Sequence, residues 1–242
     1  MSGTSSMSGP SLTQLPEGYR ALVVGARGAI GAALLAALKQ DPRCGGALGL
    51  HRDSEPALDL GEEAGVAEAA ARLAAQGPYQ LIINATGLLH GPALMPEKKL
   101  GDLKLAALQS VFLANTFGPA LLLRHFTPLL DKRCGRMALL SAKVGSIGDN
   151  RLGGWYAYRA SKAALNMLIK TAAIELRRSH PGALLLALHP GTVSSALSAP
   201  FRGGELGRPA AVAAAELLSV INELGPEASG GFFSYSGEAL PW

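Results

Sequence analysis

Three glycines that follow an apolar, strand-like run constrain the fold of this chain more than any other feature. The run is Tyr19-Arg-Ala-Leu-Val-Val24, and it leads directly into Gly25-Ala-Arg-Gly-Ala-Ile-Gly31. Residues 32–40, which come next, are strong helix formers. Between a strand and a helix, Gly25 permits a tight turn, Gly28 allows a phosphate to approach the backbone, and Gly31 allows close packing. The helix N-terminus supplies free N–H groups for that phosphate. We therefore predict a dinucleotide-binding turn, with a plain strand–helix turn as the alternative.

Short apolar runs alternate with helical stretches along the rest of the chain, which indicates a parallel sheet covered on both faces. Strands are expected at about 19–24, 47–51, 57–60, 79–84, 136–141, 183–188 and 231–235, and helices at about 32–40, 62–76, 103–130, 155–178 and 209–224. The predicted fold class is α/β, a Rossmann-type doubly wound sheet of about seven strands in the order 3-2-1-4-5-6-7. Because only residues 52–56 join the second strand to the third, the third is expected to be a short edge strand.

The composition excludes several classes of protein. Hydrophobic residues make up 48% of the chain and charged residues 17%, which excludes disorder for most of it. The 22 basic and 18 acidic residues are scattered, so no nucleic-acid partner is expected. Cys44 and Cys134 lack partners at metal-ligand spacing, and no apolar run reaches about 18 residues, so neither a metal site nor a membrane span is predicted. A reduced, cytoplasmic setting fits this cysteine usage.

The first residues differ in composition from the rest. Residues 1–18 are rich in Ser, Gly and Thr and lack the apolar segment of a signal peptide. We interpret them as a flexible leader outside the fold. Residues 19–242 are then expected to form a single dinucleotide-binding and catalytic domain.

A tyrosine and a lysine four residues apart form the candidate catalytic pair. Tyr158 and Lys162 lie in a predicted helix, where positions i and i+4 share one face. A neighbouring cation favours the phenolate form of tyrosine, so the pair can exchange a proton with an alcohol or carbonyl oxygen near neutral pH. A chance Tyr-x-x-x-Lys pair is expected about once in six such chains. Its interpretation therefore depends on the cofactor site.

The residues after the second predicted strand bear on the choice of dinucleotide. An acidic residue at this place binds the ribose 2′-hydroxyl, whereas Arg suits a 2′-phosphate. The chain has His51-Arg52-Asp53 there, and Arg27 lies inside the glycine turn. Two guanidinium groups that converge on one phosphate favour NADP(H) over NAD(H). Asp53 supports the competing interpretation, if it rather than Arg52 faces the ribose.

Taken together, the motifs of this chain resemble those of the short-chain dehydrogenase/reductase family. The family's order is matched by Gly25-x-x-Gly28-x-x-Gly31, Asn84-Ala-Thr-Gly87, Asn115, Tyr158-x-x-x-Lys162 and Pro190-Gly191. The segment from Val144 to Tyr158 and the ending Gly237-Glu-Ala-Leu-Pro-Trp242 are most similar to the C-factor-like branch, which includes carbonyl reductases. The resemblance implies NADPH-dependent reduction of a small ketone or aldehyde. The apolar helices also predict a homodimer or homotetramer.

The resemblance also assigns roles to individual residues. Tyr158 would donate the proton, and Lys162 would hold the nicotinamide ribose and lower the pKa of Tyr158. Asn115 would kink its helix and hold a water of the proton relay. Asn84 would tie neighbouring strands together, and Asp59 would meet the adenine amino group. The other implied cofactor contacts are Gly25, Arg27, Gly28, Ile30, Gly31, Arg52, Ala85, Gly87, Pro190, Gly191 and Val193.

The sequence departs from the family at the catalytic serine. The family usually has Ser-Ser-x-x-Gly after the fifth strand, whereas this chain has Ser141-Ala-Lys-Val-Gly145, which places Ala142 in the register of the second serine. Adjacent strand residues point to opposite faces, so Ser141 replaces it only with local rearrangement. Ser141 is nonetheless our first candidate and Ser146 the second. A missing donor to the oxyanion would slow a reductase, which keeps a dinucleotide-binding signalling or sensor protein as the alternative function.

The substrate pocket is expected to be apolar. Residues 88–90, Trp155, Tyr156 and residues 194–208 should line it, and the last of these segments is composed like a closing loop. Leu89, Trp155 and Phe201 favour an aromatic or aliphatic carbonyl compound, although they also suit simple packing of the loop on the sheet. Arg202 leaves a charged substrate open. His189 is interpreted as a structural histidine.

Overall fold

The computed structural model describes residues 11–242, which are built around a six-stranded parallel sheet of order β2-β1-β3-β4-β5-β6. The strands are β1 (Tyr19–Val24), β2 (Cys44–Leu50), β3 (Leu81–Asn84), β4 (Arg136–Leu140), β5 (Leu184–His189) and β6 (Phe232–Ser234). The helices are α1 (Ala29–Gln40), α2 (Glu63–Ala74), α3 (Leu105–Phe112), α4 (Gly118–Phe126), α5 (Tyr156–Ser179), α6 (Gly203–Leu206) and α7 (Ala210–Glu223). The Rossmann-type fold predicted from the sequence is confirmed.

Two apolar cores lie on the two faces of the sheet. Leu22 belongs to the core shared with α2, α4 and α5, and its neighbour Val23 belongs to the core shared with α1 and α7. Successive strand residues therefore serve opposite faces, which explains why these strands are apolar throughout. In register, Val24 of β1 pairs with Asn84 of β3. The loops that follow these strands consequently meet at one edge of the sheet, where ligands bind in open α/β folds.

The predicted third strand is absent from the described residues. The segment at 57–59 has no regular secondary structure, although the Leu58 side chain is buried. The backbone N–H of Leu58 donates to the carbonyl oxygen of His51 at 2.9 Å, within the same loop. A connection of five residues is too short to carry the chain across to a new parallel position. The segment thus serves as a loop, and the sheet has six strands where about seven were expected.

The predicted leader is wrong for residues 11–18. Leu12 and Leu15 are buried in the core that contains α1 and α7. The backbone N–H of Leu12 donates to Asp41 Oδ2 at 3.1 Å, and that of Gln14 donates to Asn222 Oδ1 at 2.9 Å. Two leucines among polar neighbours are enough to anchor the segment. Residues 1–10 of the expected leader lie outside the described residues.

The single helix predicted over about 103–130 is divided. A five-residue π-helical turn, Leu113–Phe117, separates α3 from α4. By length and composition alone, the stretch Leu105–Leu129 is apolar enough to cross a membrane, and 33% of its most apolar window is buried in this fold. No membrane span was predicted from the sequence, because polar but uncharged residues interrupt this stretch and no uninterrupted apolar run reaches about 18 residues. Here α3 packs on α5, and α4 packs on α2 and α5.

Candidate active site

The turn after β1 has the geometry of a phosphate cradle. Gly25 adopts φ +81°, and a Cβ there would lie 2.9 Å from Thr86 Cγ2. A Cβ on Gly31 would collide with the carbonyl oxygen of Gly25, so α1 can approach β1 only with glycine at this position. Gly28 caps α1, and Ile30 lies in its first turn. The three glycines therefore keep the backbone open to a phosphate at a helix N-terminus.

A cleft of about 720 Å³ opens beside this turn. It is lined by Val24, Gly25, Arg27, Gly28, His51, Arg52, Asp53, Leu58, Asp59, Leu60, Gly61, Thr86, Gly87, Leu88, Ser110, Leu113 and Ala114. Arg27 forms an ion pair with Asp53, and both side chains are 69% exposed. Arg52 is also exposed on the wall of the cleft. Both predicted guanidinium groups thus lie at one cleft, with Asp53 engaged by one of them.

Of two residues whose roles were inferred from the family resemblance, Asp59 lies where it was expected and Asn84 makes different contacts. Asp59 lines the cleft as expected, and its Oδ1 accepts a hydrogen bond from the Gly61 N–H at 2.9 Å. Asn84 does not tie two strands together as expected. Its Oδ1 instead accepts from the backbone N–H of Thr86 at 3.2 Å and from the Thr86 hydroxyl at 2.8 Å. Asn84 is the last residue of β3, and its side-chain oxygen stabilises the turn that follows, which contains Ala85 and Thr86.

Asn115 lies at the centre of the π-helical turn and is fully buried. Its Oδ1 accepts from the Leu88 N–H at 2.7 Å, and its Nδ2 donates to the Leu88 carbonyl oxygen at 2.8 Å and to Ser161 Oγ at 3.1 Å. The side chain therefore joins the loop after β3 to α5. The distortion of the helix that was predicted at Asn115 is present.

Tyr158 and Lys162 lie one turn apart on α5, with Lys162 Nζ 5.9 Å from the centre of the Tyr158 ring. The ammonium group donates to the carbonyl oxygen of Leu140, the last residue of β4, at 2.8 Å. A Cβ on Gly87 would lie 3.7 Å from Nζ and 3.6 Å from Asn115 Oδ1. Gly87 therefore separates the cofactor cleft from the lysine by backbone alone.

Burial controls the protonation of this pair. It raises the pKa of Tyr158 to about 12 and lowers the pKa of Lys162 to about 8. Without a bound cofactor, Lys162 therefore does not lower the pKa of Tyr158 as predicted. The loss of solvation of the phenol outweighs the cation, whose hydrogen bond is directed to the sheet. Both groups are protonated at neutral pH, so the phenol holds the proton that it would donate.

The serine candidates have other partners. Ser141 is buried, and its hydroxyl donates to Asn166 Oδ1 on α5 at 2.6 Å. Ser146 is also buried, and its Oγ accepts from the Asp149 N–H at 3.1 Å. Ala142 occupies the register of the family serine and starts the tight turn 143–145. The Ser141 hydroxyl therefore points to α5, and the side chain in the register of the family's catalytic serine is the methyl group of Ala142.

The turn after β5 is held in place by contacts with Arg208. Gly191 has φ +71°, and Arg208 donates to the Pro190 carbonyl oxygen, pairs with Glu216 and stacks 3.5 Å from the centre of the Tyr235 ring. Val193 is buried and pairs with Arg208 in an isolated parallel bridge, which closes the base of the loop 194–207. Burial, followed by the charges of Lys143 and Arg208, lowers the pKa of His189 to about 4. His189 is therefore neutral at physiological pH, which agrees with a structural role.

Sequence reasoning missed Glu97. This residue is buried, and its Oε2 accepts from the backbone N–H of Ala157 at 3.1 Å, in the first turn of α5. Its carbonyl oxygen also accepts from the N–H of Trp155, which caps the helix. Glu97 thus holds the N-terminus of the helix that carries Tyr158. In the sequence it lies within Pro96-Glu97-Lys98-Lys99, which looks like an exposed charged run.

Comparison with known proteins identifies the family. The family model described as short chain dehydrogenase matches residues 17–205. The 1-hydroxy-2-glutathionyl-2-methyl-3-butene dehydrogenase of Rhodococcus sp. (strain AD45) is 34% identical over 188 residues, which cover 78% of this chain and 80% of that protein. The C-signal protein of Myxococcus xanthus is 35% identical over 167 residues, covering 69% of this chain and 94% of that protein.

Solved structures share the fold. The carbonyl reductase Sniffer of D. melanogaster superposes with a TM-score of 0.80 at 22% identity, over 93% of this chain and 99% of that chain. The NADPH-bound carbonyl reductase from chicken fatty liver gives a TM-score of 0.79 at 24% identity, over 94% of this chain and 100% of that chain. With the family match, the glycine turn and the Tyr158–Lys162 pair in place, this chain belongs to the short-chain dehydrogenase/reductase family of oxidoreductases.

Proposed function

We propose that this protein is an NADP(H)-dependent reductase that converts a ketone or aldehyde to an alcohol, with Tyr158 as the proton donor. The observation that carries the proposal is the placement of Tyr158 and Lys162 on α5, with Nζ next to Gly87, which lines the glycine-turn cleft. Tyr158 is protonated at neutral pH and so holds the proton that reduction requires, while its burial makes it a weaker acid than an ordinary phenol.

The chain's own residues supply position and the proton. When bound, the nicotinamide cofactor supplies the hydride. Gly25, Gly28 and Gly31 leave room for its phosphates, and Pro190, Gly191 and Val193 follow β5 at the same edge of the sheet. Tyr158 protonates the carbonyl oxygen. Lys162 places a buried positive charge beside that proton transfer, and Asn115 keeps the loop after β3 against α5.

The preference for NADP(H) rests on Arg27 and Arg52, which line one cleft. Because a guanidinium group binds phosphate by two parallel hydrogen bonds, Arg52→Ala should weaken NADPH binding at least about tenfold and NADH binding little. Asp53→Ala is the matched control. It frees Arg27 from its ion pair and should leave NADPH binding unchanged or tighter. Equal losses for NADPH and NADH in Arg52→Ala would contradict the assignment.

The activity is tested by following NADPH absorbance with a panel of ketones and aldehydes. Consumption that is abolished by Tyr158→Phe supports the reductase. Saturable NADPH binding without consumption across the panel would instead favour a dinucleotide-binding sensor with little turnover, the alternative that Ala142 keeps open. Both outcomes are read on the same protein preparation.

We also propose a substrate class, a cellular location and an oligomeric state. The substrate is an apolar small molecule, and the protein acts in the cytoplasm. Self-association as a homodimer or homotetramer is supported by exposed apolar side chains on α3, the π-helical turn and α5, which include Leu105, Phe117, Met167 and Ile174. Measurement of the mass in solution tests this part, and a monomer at micromolar concentration would contradict it.

A further inference from the structure

Three aromatic rings form a connected cluster over the candidate proton donor. Trp155 meets Tyr158 edge to face, with ring centres 6.2 Å apart, and meets Phe201 at 4.9 Å. Phe201 in turn meets His90 at 5.8 Å. The rings come from the loop after β3, the cap of α5 and the loop after β5. All four side chains keep part of their surface exposed, so the cluster is open to a ligand.

The backbone at Trp155 is in an unfavourable conformation. Its φ is +53°, in the left-handed region that bulky side chains avoid, and it follows Gly153 and Gly154, each with φ +64°. Glu97 maintains this turn, because its carbonyl oxygen accepts from the Trp155 N–H and its carboxylate accepts from the Ala157 N–H. Such conformations persist where the surrounding structure fixes them, and they concentrate at functional sites. The turn holds the indole between Tyr158 and Phe201.

The charged and polar side chains around this cluster are engaged in ion pairs or hydrogen bonds. Arg202 forms an ion pair with Glu205 at 2.9 Å, and Lys143 pairs with Asp149 at 3.5 Å. Arg159 donates to the carbonyl oxygens of Gly154 and Val144. His90 lies 3.1 Å from the Ala196 carbonyl oxygen through Nε2. A ligand at these rings therefore meets aromatic surface more than free charge, which disfavours an anionic substrate.

We infer that the substrate is a neutral aryl carbonyl compound, an aldehyde or ketone whose aromatic ring is attached to the carbonyl carbon. The ring packs against Trp155 and Phe201 while the carbonyl oxygen faces Tyr158, because aromatic pairs favour edge-to-face and offset contacts. Trp155 is then a specificity-determining residue. This inference rests on the proposed reductase function and adds the substrate class to it.

The test compares two ketones of matched size, acetophenone and cyclohexyl methyl ketone, with NADPH at saturation. In the native protein, kcat/KM should favour acetophenone at least about tenfold, and Trp155→Leu should reduce that ratio to about one, mainly through the aryl substrate. Trp155→Phe should keep most of the preference. Trp242→Leu is the matched control: Trp242 stacks on Phe232 away from the cluster, and its removal should leave the ratio unchanged.

A ratio near one in the native protein, or a ratio that Trp155→Leu does not change, would overturn the aryl assignment while leaving the reductase function intact. Absence of any NADPH consumption would count against the proposed function instead. The substrate class is then read by binding, since Trp242→Leu leaves Trp155 as the one tryptophan of the chain. Saturable change of its fluorescence with acetophenone but not with cyclohexyl methyl ketone supports the aryl site, and equal titrations contradict it.

Discussion

The hydroxyl of Ser141 donates a hydrogen bond of 2.6 Å to the side-chain oxygen of Asn166, inside the fold between β4 and α5. A hydroxyl that is already committed as a donor has no proton left for a developing oxyanion. Ser141 thus supports the seating of α5 on the sheet. The position that serves catalysis elsewhere in the family carries the methyl group of Ala142.

Ala142→Ser should therefore raise the rate of carbonyl reduction. One oxyanion donor contributes about 10²–10³ in kcat in other enzymes, so we expect a gain of about tenfold or more. Ser141→Ala should leave kcat within about threefold but cost about 1–3 kcal/mol of stability, because it leaves Asn166 Oδ1 without its donor. Steady-state kinetics and urea unfolding measure the two effects. Loss of activity in a fully folded Ser141→Ala protein would restore Ser141 as the catalytic serine, and Ser146→Ala tests the second candidate in the same assay.

The pH dependence should follow Lys162. Its pKa is lowered to about 8 by burial, so the charged form is lost above that pH, whereas Tyr158 remains protonated up to about pH 12. For reduction, kcat/KM for NADPH should be level below about pH 8 and fall above it, since this ratio reports groups of the free enzyme. Lys162→Arg should flatten the decline, at lower overall activity, because a guanidinium group stays charged. A profile that falls on the acidic side of neutrality would exclude Lys162 as the controlling group.

Glu97→Ala should impair the chemistry more than cofactor binding. The substitution leaves the Ala157 N–H without its acceptor and loosens the turn that precedes Tyr158. Small misplacements of a catalytic group cost up to about 10²-fold, so we expect kcat to fall about tenfold or more, with the NADPH Kd within about twofold. Glu97→Gln retains an acceptor oxygen and should recover most of kcat. If Gln and Ala behave alike, the carboxylate has a role other than positioning.

Asp41→Ala should destabilise the protein by detaching residues 11–18. Burial alone would raise the pKa of Asp41, but hydrogen bonds from the N–H groups of Leu12 and Arg43 and from the Tyr19 hydroxyl keep it below its usual value. Unpairing these donors costs about 1–3 kcal/mol. A carboxyl whose folded pKa is depressed binds fewer protons folded than unfolded, so its contribution is complete above about pH 4 and is lost as the pH falls through the folded pKa.

Chemical unfolding of the native protein and of Asp41→Ala between pH 3 and 7 measures this difference in stability. The gap between the two proteins should be constant near neutrality and narrow below about pH 4. A gap that widens toward acid would mean that Asp41 does not stabilise the fold through its charged form.

Sequence patterns were sufficient to predict those parts of the site that are formed by residues close together in the chain. The glycine turn needs residues six apart in the chain, and Tyr158 and Lys162 meet within one helical turn. Asn115 was found because its motif carries the helix distortion with it. These are interactions over short sequence separation, so one sequence contains the information.

Other features depended on contacts between distant segments. Burial of Glu97 results from the meeting of the loop after β3 with α5, about 60 residues further along, and a charged run gives no sign of it. Leu12 is anchored by Asp41 and Leu15 by Arg43, two contacts that a boundary based on composition overlooks. The segment at 57–60 has strand-like residues, but the short connection before it prevents pairing. Residue type alone did not distinguish a loop from an edge strand there.

The π-helical turn between α3 and α4 reconciles two demands that one regular helix cannot meet. Each residue of an α-helix advances the azimuth by about 100°, so a single deletion within Leu113–Phe117 would rotate everything beyond it by that angle. Either Leu122 and Phe126 would turn away from the sheet, or Asn115 would leave Leu88 and Ser161. Length variation should consequently be eliminated by selection within this turn, where one extra residue keeps the core and the site in phase.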